Sequence, residues 1–378
     1  MIPVMRPWLG PEEQAAVSEV ISSGWVAQGP RVAEFERGFA EHVQAGHGVA
    51  VSSCTTALHL SLVLAGIGPG DEVVVPSLSF IATANVVRHA GADPVFADID
   101  PATGNLTAKT IEAVLTPRTR AVILVHQAGV PADVDEVRTA HPGLIIVEDA
   151  ACAAGSVYKG RPVGAGSPLS AWSFHPRKLL TTGEGGMITM EDADLAARAR
   201  RLREHGMSVS AAERHAKGVT TPEQYLEVGF NYRMTDLQAA VGLVQLGKLG
   251  ELIERRRALA ARYHELLGDI PGLRMVTDPE HGRTNYQSFW MALPDDFPLG
   301  RDELMTFLAE RGVSARRGIM AAHLEPAYAG MSNAELPATE WLTARSLILP
   351  LFHTMTEAEQ NQVADAVHAA AAGSPVRS

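Results

Sequence analysis

An α/β fold, with a large N-terminal domain on a mostly parallel sheet and a smaller α+β domain after it, is the class this 378-residue sequence predicts. Three observations carry that prediction. Between about residues 48 and 190, short β-rich runs (GVAVSS, DEVVVPS, DPVFADID, RAVILVHQ, LIIVEDAA, LSAWSFH and GGMITM) alternate with Ala-rich or amphipathic stretches, the pattern of strand–helix–strand units. A capping box at Thr235 and Gln238 then opens a helix, and a long charged helix follows it. From about residue 270 strand-like and helical runs mix in a shorter unit. Residues 1–248 are accordingly assigned to the large domain and 249–378 to the small one, with a helix from about Leu249 to Leu267 as the bridge.

In chain order, PEEQAAVSEVISSG reads as a helix stopped by Gly24, and RVAEFERGFAEHV as a second helix. The alternating strands come next. After TDLQ, apolar residues at Leu237, Val241 and Val244 keep helical spacing, and LGELIERRRALAARYHELLG does the same up to Gly268. The last third offers strand-like NYQSFWMALP, helical RDELMTFLAERG, loop-like RRGIMAAHLEPAYAG and a final helix in TEAEQNQVADAVHAA, with GSPVRS as a frayed tail. No internal repeat is visible.

Composition excludes several function classes. A formal charge of -11, with both signs interspersed and no basic block, argues against nucleic acid or an anionic membrane surface as the main partner. The opening MIPVMRPWLGPEEQ lacks the apolar core of a signal peptide and no later run approaches a membrane span, so a cytoplasmic location is expected. Two cysteines, Cys54 and Cys152, give neither a disulfide framework nor the spacing of a zinc site, and no metal is expected.

The chemistry concentrates at strand ends, where open α/β sheets bind ligands. In VSSCTTALHLSLVLAG a strand runs directly into a helix start, whose unpaired N–H groups and positive dipole end suit a phosphate, although such a turn is more often only a cap. In IIVEDAAC, Asp149 ends an apolar strand; a carboxylate there can serve a metal, a ribose or a protonated heterocycle, or cap the next turn. In SFHPRKLLTTGEGGMI, Lys178 is either a snorkelling surface residue or a reactive amine. Taken together, the helix start, the Asp and the Lys about thirty residues on are what pyridoxal phosphate needs. The lysine forms an imine with the aldehyde, the carboxylate keeps the ring nitrogen protonated, and the helix start holds the phosphate. Phe80 in PSLSFIATAN offers a flat face to the ring, or is a core aromatic.

The ordered motifs SSGWVAQGPRVAEFE, SSCTTALHL, GIGPGDEVVVPSLSFIATAN, GVPADVDEV, VEDAACAAGSVYKGRPVG, SFHPRKLLTTGEGG, LREHG, GFNYRMTDLQAAVGLVQL and LILPLF cover nearly the whole chain. The chain resembles the pyridoxal-phosphate-dependent sugar aminotransferases of the StrS/DegT group, of the aspartate-aminotransferase-like fold (fold type I). That resemblance implies Lys178 as the Schiff-base lysine, Asp149 as partner of the pyridine nitrogen and Phe80 as the stacking ring. It implies Thr55, Thr56 and Ser173 as phosphate ligands, and Asn231 as reaching the phosphate in the neighbouring subunit, hence a homodimer with shared active sites. Two departures from the group's pattern stand out: Cys54 where glycine is common, and Cys152 where Gln or His usually hydrogen-bonds the cofactor's phenolic oxygen.

The implied reaction moves an amino group from L-glutamate or L-glutamine to a keto sugar, most simply a nucleotide-linked one. Lys178 acts as a base in its free form, with its pKa lowered by burial beside the cationic cofactor. Candidate substrate residues are Arg316, Arg317 and His323 in SARRGIMAAH and Lys159 and Arg161 in YKGRPVG, each of which reads more readily as a surface or loop-packing residue. A keto sugar without a nucleotide or a cyclitol ketone is the alternative acceptor. A non-enzymatic, cofactor-binding regulatory protein is the alternative of another class.

Overall fold

The computed structural model describes residues 1–209, 222–331 and 335–373, so the expected C-terminal tail beyond Gly373 lies outside the described residues. Two helices open the chain, α1 (Pro11–Ser23) and α2 (Pro30–His42), each with proline in its first turn, where the missing N–H costs nothing. Gly24 ends α1 at φ 75°, as the sequence predicts.

The central sheet comprises β1 (His47–Val51), β2 (Glu72–Pro76), β3 (Asp93–Ala97), β4 (Thr119–Val125), β5 (Ile145–Asp149), β8 (Ser170–Ser173) and β9 (Gly186–Met190), in the order β1-β9-β8-β5-β4-β2-β3. The hairpin β6 (Val157–Tyr158) and β7 (Arg161–Pro162) stands apart and pairs with β11 (Gly282–Arg283). Within the central sheet β2–β3, β2–β4, β4–β5 and β5–β8 are parallel, and only β9 runs against its neighbours β1 and β8. Helices α3 (Cys54–Leu64), α4 (Ala82–His89), α5 (Ala108–Glu112), α6 (Val134–Ala140) and α7 (Ala193–Leu202) lie between or after these strands. The carboxyl ends of β1, β2, β5 and β8 therefore share one edge, and they lead into Cys54, Phe80, Cys152 and Lys178 respectively.

The two helices expected after Thr235 are one. Helix α8 runs unbroken from Asp236 to Leu267 across the expected domain boundary at 248/249. Thr235 and Gln238 form the expected capping box. Asp236 is buried at its start and accepts the backbone N–H groups of Gly29, Arg31 and Val32, so it also caps α2. Gly247 and Gly250 do not interrupt it, because glycine lowers helix propensity without removing a hydrogen bond.

Beyond α8, β10 (Arg274–Met275), β12 (Phe289–Ala292), β13 (Arg316–Arg317) and β14 (Ser346–Leu349) make an antiparallel sheet in the order β10-β12-β14-β13, with α9 (Arg301–Glu310), α10 (Pro337–Arg345) and α11 (Glu357–Ala371) around it. One apolar core runs from Val74, Val122 and Leu124 of the central sheet through Leu259 and Tyr263 of α8 to Phe289, Leu347 and Val363. The first residues join this part of the molecule: Ile2 exchanges backbone hydrogen bonds with Gly312 and Ser314, and Leu351 N–H donates to Val4. Among the described residues no helix is long and apolar enough to cross a membrane.

Candidate active site

Four strand ends build the site. At the end of β1, Ser53 caps α3, its hydroxyl accepting from the Thr56 N–H at 3.2 Å, while the Thr56 hydroxyl donates back to the Ser53 carbonyl at 2.8 Å. The Thr56 side chain is thus committed locally. The N–H groups of Cys54 and Thr55 are left without intrahelical acceptors at the positive end of α3. This turn leans on β9: a Cβ on Gly186 would stand 2.4 Å from the Ser53 carbonyl atoms and 2.7 Å from the Cys54 nitrogen. Gly186 is also paired with Ser173 at the end of β8, so the helix start and Ser173 are neighbours across one glycine.

Asp149 ends β5, buried, with Oδ2 accepting from the Thr83 hydroxyl at 3.2 Å and Oδ1 from the Ala151 N–H at 3.1 Å. Burial raises its carboxyl above the ordinary 3.8, against the opposing pull of those donors and of Lys178 and His126. Thr83 in turn hydrogen-bonds Ser79 at 2.7 Å, which ties α4 and the Phe80 loop to the carboxylate. Thr83 is a residue the sequence reading missed; its position one helical turn after Phe80 was the available signal. Phe80 itself is 61 % exposed, which removes the core-aromatic reading and leaves a ring face free at the edge.

Lys178 Nζ donates to Cys152 Sγ at 3.0 Å. Burial works to lower the lysine pKa, but its interactions with Cys152 first, then with Cys54 and Asp149, outweigh it and leave it raised in the protein alone. The sequence reading expects burial to lower this pKa, and burial does pull it down, but the neighbouring acidic groups prevail in the protein alone. Cys54 is pushed well above the ordinary thiol range, by burial first and then by Asp149. Both cysteines are free thiols.

The other predicted residues divide. Arg316, on β13, sits beside the Lys178 loop: burial and the charges of Arg177 and Arg317 lower its pKa, and Arg316 contributes to lowering that of His175, after burial. Arg317 points to Glu325 at 3.5 Å. His323 is engaged at both ring nitrogens, with Ser77 Oγ at 2.6 Å and Glu340 Oε1 at 3.3 Å, so it packs the loop. Lys159 pairs with Asp133 and Asp135, and with Arg161 it lines a polar cavity floored by His126 and Glu148, whose lining includes none of Asp149, Cys152 and Lys178. Asn231 is exposed. Among the described residues no cluster of His, Cys, Asp and Glu is arranged to hold a metal ion.

Residues 7–368 match the model of the DegT/DnrJ/EryC1/StrS aminotransferase family. The chain belongs to this family. Similar solved structures include the aminotransferase TlmJ from Streptoalloteichus hindustanus, 38% identical over 98% of this chain and 99% of that one, with a TM-score of 0.90. DesV of S. venezuelae is 35% identical over 98% of each chain, at a TM-score of 0.88. The sugar aminotransferase CalS13 from Micromonospora echinospora is 29% identical over 97% of this chain and 99% of that one, at 0.88.

The protein is a pyridoxal-phosphate-dependent aminotransferase of fold type I. Its own residues fit that cofactor. A buried carboxylate with hydrogen-bond donors but, among the described residues, no ion-pair partner suits a protonated ring nitrogen. A half-buried primary amine suits an aldehyde, and a helix start kept close by a glycine suits a phosphate.

Proposed function

We propose that the protein transfers the amino group of L-glutamate or L-glutamine to a keto sugar carried on a nucleotide, working as a homodimer. The observation that carries the reading is the half-buried Lys178–Cys152 pair with buried Asp149 at the carboxyl edge of the sheet in a chain of this family. The sugar class is supported by the likeness to CalS13, a sugar aminotransferase. Exposed Asn231, near exposed Tyr225, Leu226 and Val228, supports a second subunit at this edge.

When bound, pyridoxal phosphate supplies an electrophilic carbon and a ring that withdraws electrons from the substrate carbon. The chain does the rest. Lys178 Nζ would hold the cofactor at rest and, as a free amine, would carry the proton between the substrate carbon and the former aldehyde carbon of the cofactor. Asp149, fixed by Thr83 and Ala151, keeps the ring nitrogen protonated, and Phe80 covers the ring face. Cys54 and Thr55 N–H groups, the Thr55 hydroxyl and Ser173 hold the phosphate, with Thr56 shaping the turn. Cys152, beside Lys178 Nζ, would be a weak donor to the phenolic oxygen. Arg316, beside the Lys178 loop, offers a guanidinium to an acidic part of donor or acceptor.

Absorbance spectra of the purified protein before and after L-glutamate and, separately, L-glutamine test the first half of this scheme. The expected result is a visible band that bleaches with one donor and is missing in Lys178→Ala. Wild-type protein that forms no such band with added pyridoxal phosphate refutes the role of Lys178, and a band that neither donor bleaches refutes the donor assignment.

A further inference from the structure

Lys178 and Cys152 lie on separate loops, yet one short segment grips both. Asn285 is buried, and its Nδ2 donates to the carbonyls of Cys152 and Ala154, each at 2.8 Å, while its Oδ1 accepts from the Gln287 N–H at 2.8 Å. Gln287 then reaches the other loop. Its Oε1 accepts from the Leu179 N–H at 3.0 Å and its Nε2 donates to the Arg177 carbonyl at 2.6 Å, so it holds the residues on either side of Lys178.

Between the two amides the backbone is strained, with Tyr286 at φ 50°. A non-glycine residue there costs on the order of 1–3 kcal/mol and persists only where its surroundings over-determine it. They do so here. Thr284 Oγ1 accepts from the Tyr286 N–H at 3.1 Å and Ser156 Oγ from the Asn285 N–H at 3.2 Å. From α8, Arg256 Nη1 donates to the carbonyls of Tyr286 at 2.9 Å and Gln287 at 3.3 Å. Arg256 is only 2 % exposed, has no carboxylate partner among the described residues, and is lowered to about 10 by burial. Gly129, at φ +94°, leaves room for the arrangement, since a Cβ there would stand 2.0 Å from Asn285 Oδ1. A buried guanidinium without a counter-charge opposes folding, so this arrangement gives up stability to fix one turn.

We propose that Gln287, set by Asn285 and Arg256, is the positioning residue that aims Lys178 Nζ in the amino-transfer reaction. It touches only the backbone beside Lys178 and acts through it. This rests on Lys178 being the lysine that holds the cofactor. A displacement of about 1 Å at a reacting group is enough to cost ~100-fold in rate, so loosening both anchors beside Lys178 should be felt at turnover.

The test compares Gln287→Ala, Gln287→Glu and Gln360→Ala holoenzymes with wild type, reading kcat, donor KM, thermal midpoint and the pH titration of the visible band. Gln360 is the control, because its Nε2 donates to the Leu259 carbonyl at 2.9 Å in a purely structural setting in α11. Gln287→Ala is expected to lower kcat by ~10- to 100-fold with KM within about twofold, and to move the titration midpoint. Gln287→Glu keeps the acceptor for Leu179 but turns an oxygen toward the Arg177 carbonyl, so it releases one anchor and is expected to show the same changes, with the thermal midpoint reporting that each variant is folded. Gln360→Ala is expected to lose stability with wild-type kcat and titration. Wild-type kcat and titration in both Gln287 variants overturn the proposal, as does a Gln360→Ala enzyme with the same kcat loss and spectral shift. Lys178→Ala run alongside separates the two levels: a lysine-linked visible band surviving there overturns the assignment of Lys178 and this inference with it.

Discussion

Gly186→Ala isolates the helix start from the rest of the cofactor site. The new Cβ would stand 2.4 Å from the carbonyl carbon and oxygen of Ser53 and 2.7 Å from the Cys54 nitrogen, all backbone atoms that cannot rotate away. Reaching ordinary contact requires a separation of about 1 Å. Because Gly186 is paired with Val51 on one side and Ser173 on the other, β9 cannot move without both neighbours, so the α3 start must shift. Overpacking of this kind costs ~1–3 kcal/mol of stability. If Cys54 and Thr55 N–H groups hold the phosphate, losing their alignment removes one or two charge-assisted hydrogen bonds of about 1.5–3 kcal/mol each, or ~10- to 100-fold or more in affinity. Pyridoxamine phosphate, which forms no bond to lysine, reports that affinity by fluorescence titration, with phosphate-free pyridoxamine as the reference ligand. The expected result is a weakened dissociation constant for the first and little change for the second. Gly247→Ala, where nothing lies within 4 Å of the added atom in α8, should stabilise by ~0.5–1 kcal/mol and leave binding alone. A folded Gly186→Ala protein with wild-type affinity for pyridoxamine phosphate would show that the α3 turn does not hold the phosphate.

Asp149→Asn should separate stability from function. Burial raises the Asp149 carboxyl above its ordinary 3.8, so between that value and the folded one the folded chain holds more protons than the unfolded chain. Stability then falls as pH rises through this window, and at neutral pH the buried carboxylate opposes folding. Cofactor-free Asp149→Asn is expected to melt higher than wild type at neutral pH and to lose that advantage below the ordinary carboxylate range, while its turnover drops by ~100-fold or more; thermal scans across pH in which wild type is the more stable at neutrality contradict this. Arg316→Ala is expected to raise KM for donor or acceptor by ~10-fold or more with kcat little changed, and unchanged KM values for both would place Arg316 outside the site.

The strand ends that frame the candidate site were legible because local patterns change there. Asp149 and Lys178 follow apolar runs that become β5 and β8, and Thr55 follows a strand that ends in a hydroxyl-rich cap; each signal lies within a few residues of its cause. Gln287 gave no such signal. Its partners lie 108 and 110 residues away, and NYQSFWMALP reads as one strand although only Phe289–Ala292 is extended and paired. Periodicity reports which face of a segment is buried, not which distant carbonyl an amide will meet. The single helix α8 was divided in reading because its first half is small and apolar and its second half charged. Composition changes along it without any change in backbone. His323 shows the converse: a histidine among candidate ligands whose ring is already committed to Ser77 and Glu340, partners 246 and 17 residues away.

The reversal of β9 bears on how such a protein can change over generations. In a parallel continuation, the chain after Ser173 would have needed a crossover of a dozen or more residues, usually a helix, and a lysine on it would move with a whole packed layer. Here residues 174–185 leave and re-enter on adjacent strands whose register is set at Ser173 and Gly186. The closure entropy of such a loop changes slowly, by only ~0.6 kcal/mol for a doubling of its length. Gly183 has open space about it but stands at φ +85°, so insertions beside it, rather than a side chain on Gly183 itself, can lengthen this end of the loop while the sheet that holds the carboxylate stays as it is. Length variation is thereby confined to the open end of the loop, since Phe174, Leu179 and Leu180 are packed in the core, which makes the residues around Gly183 the place to begin a directed-evolution library.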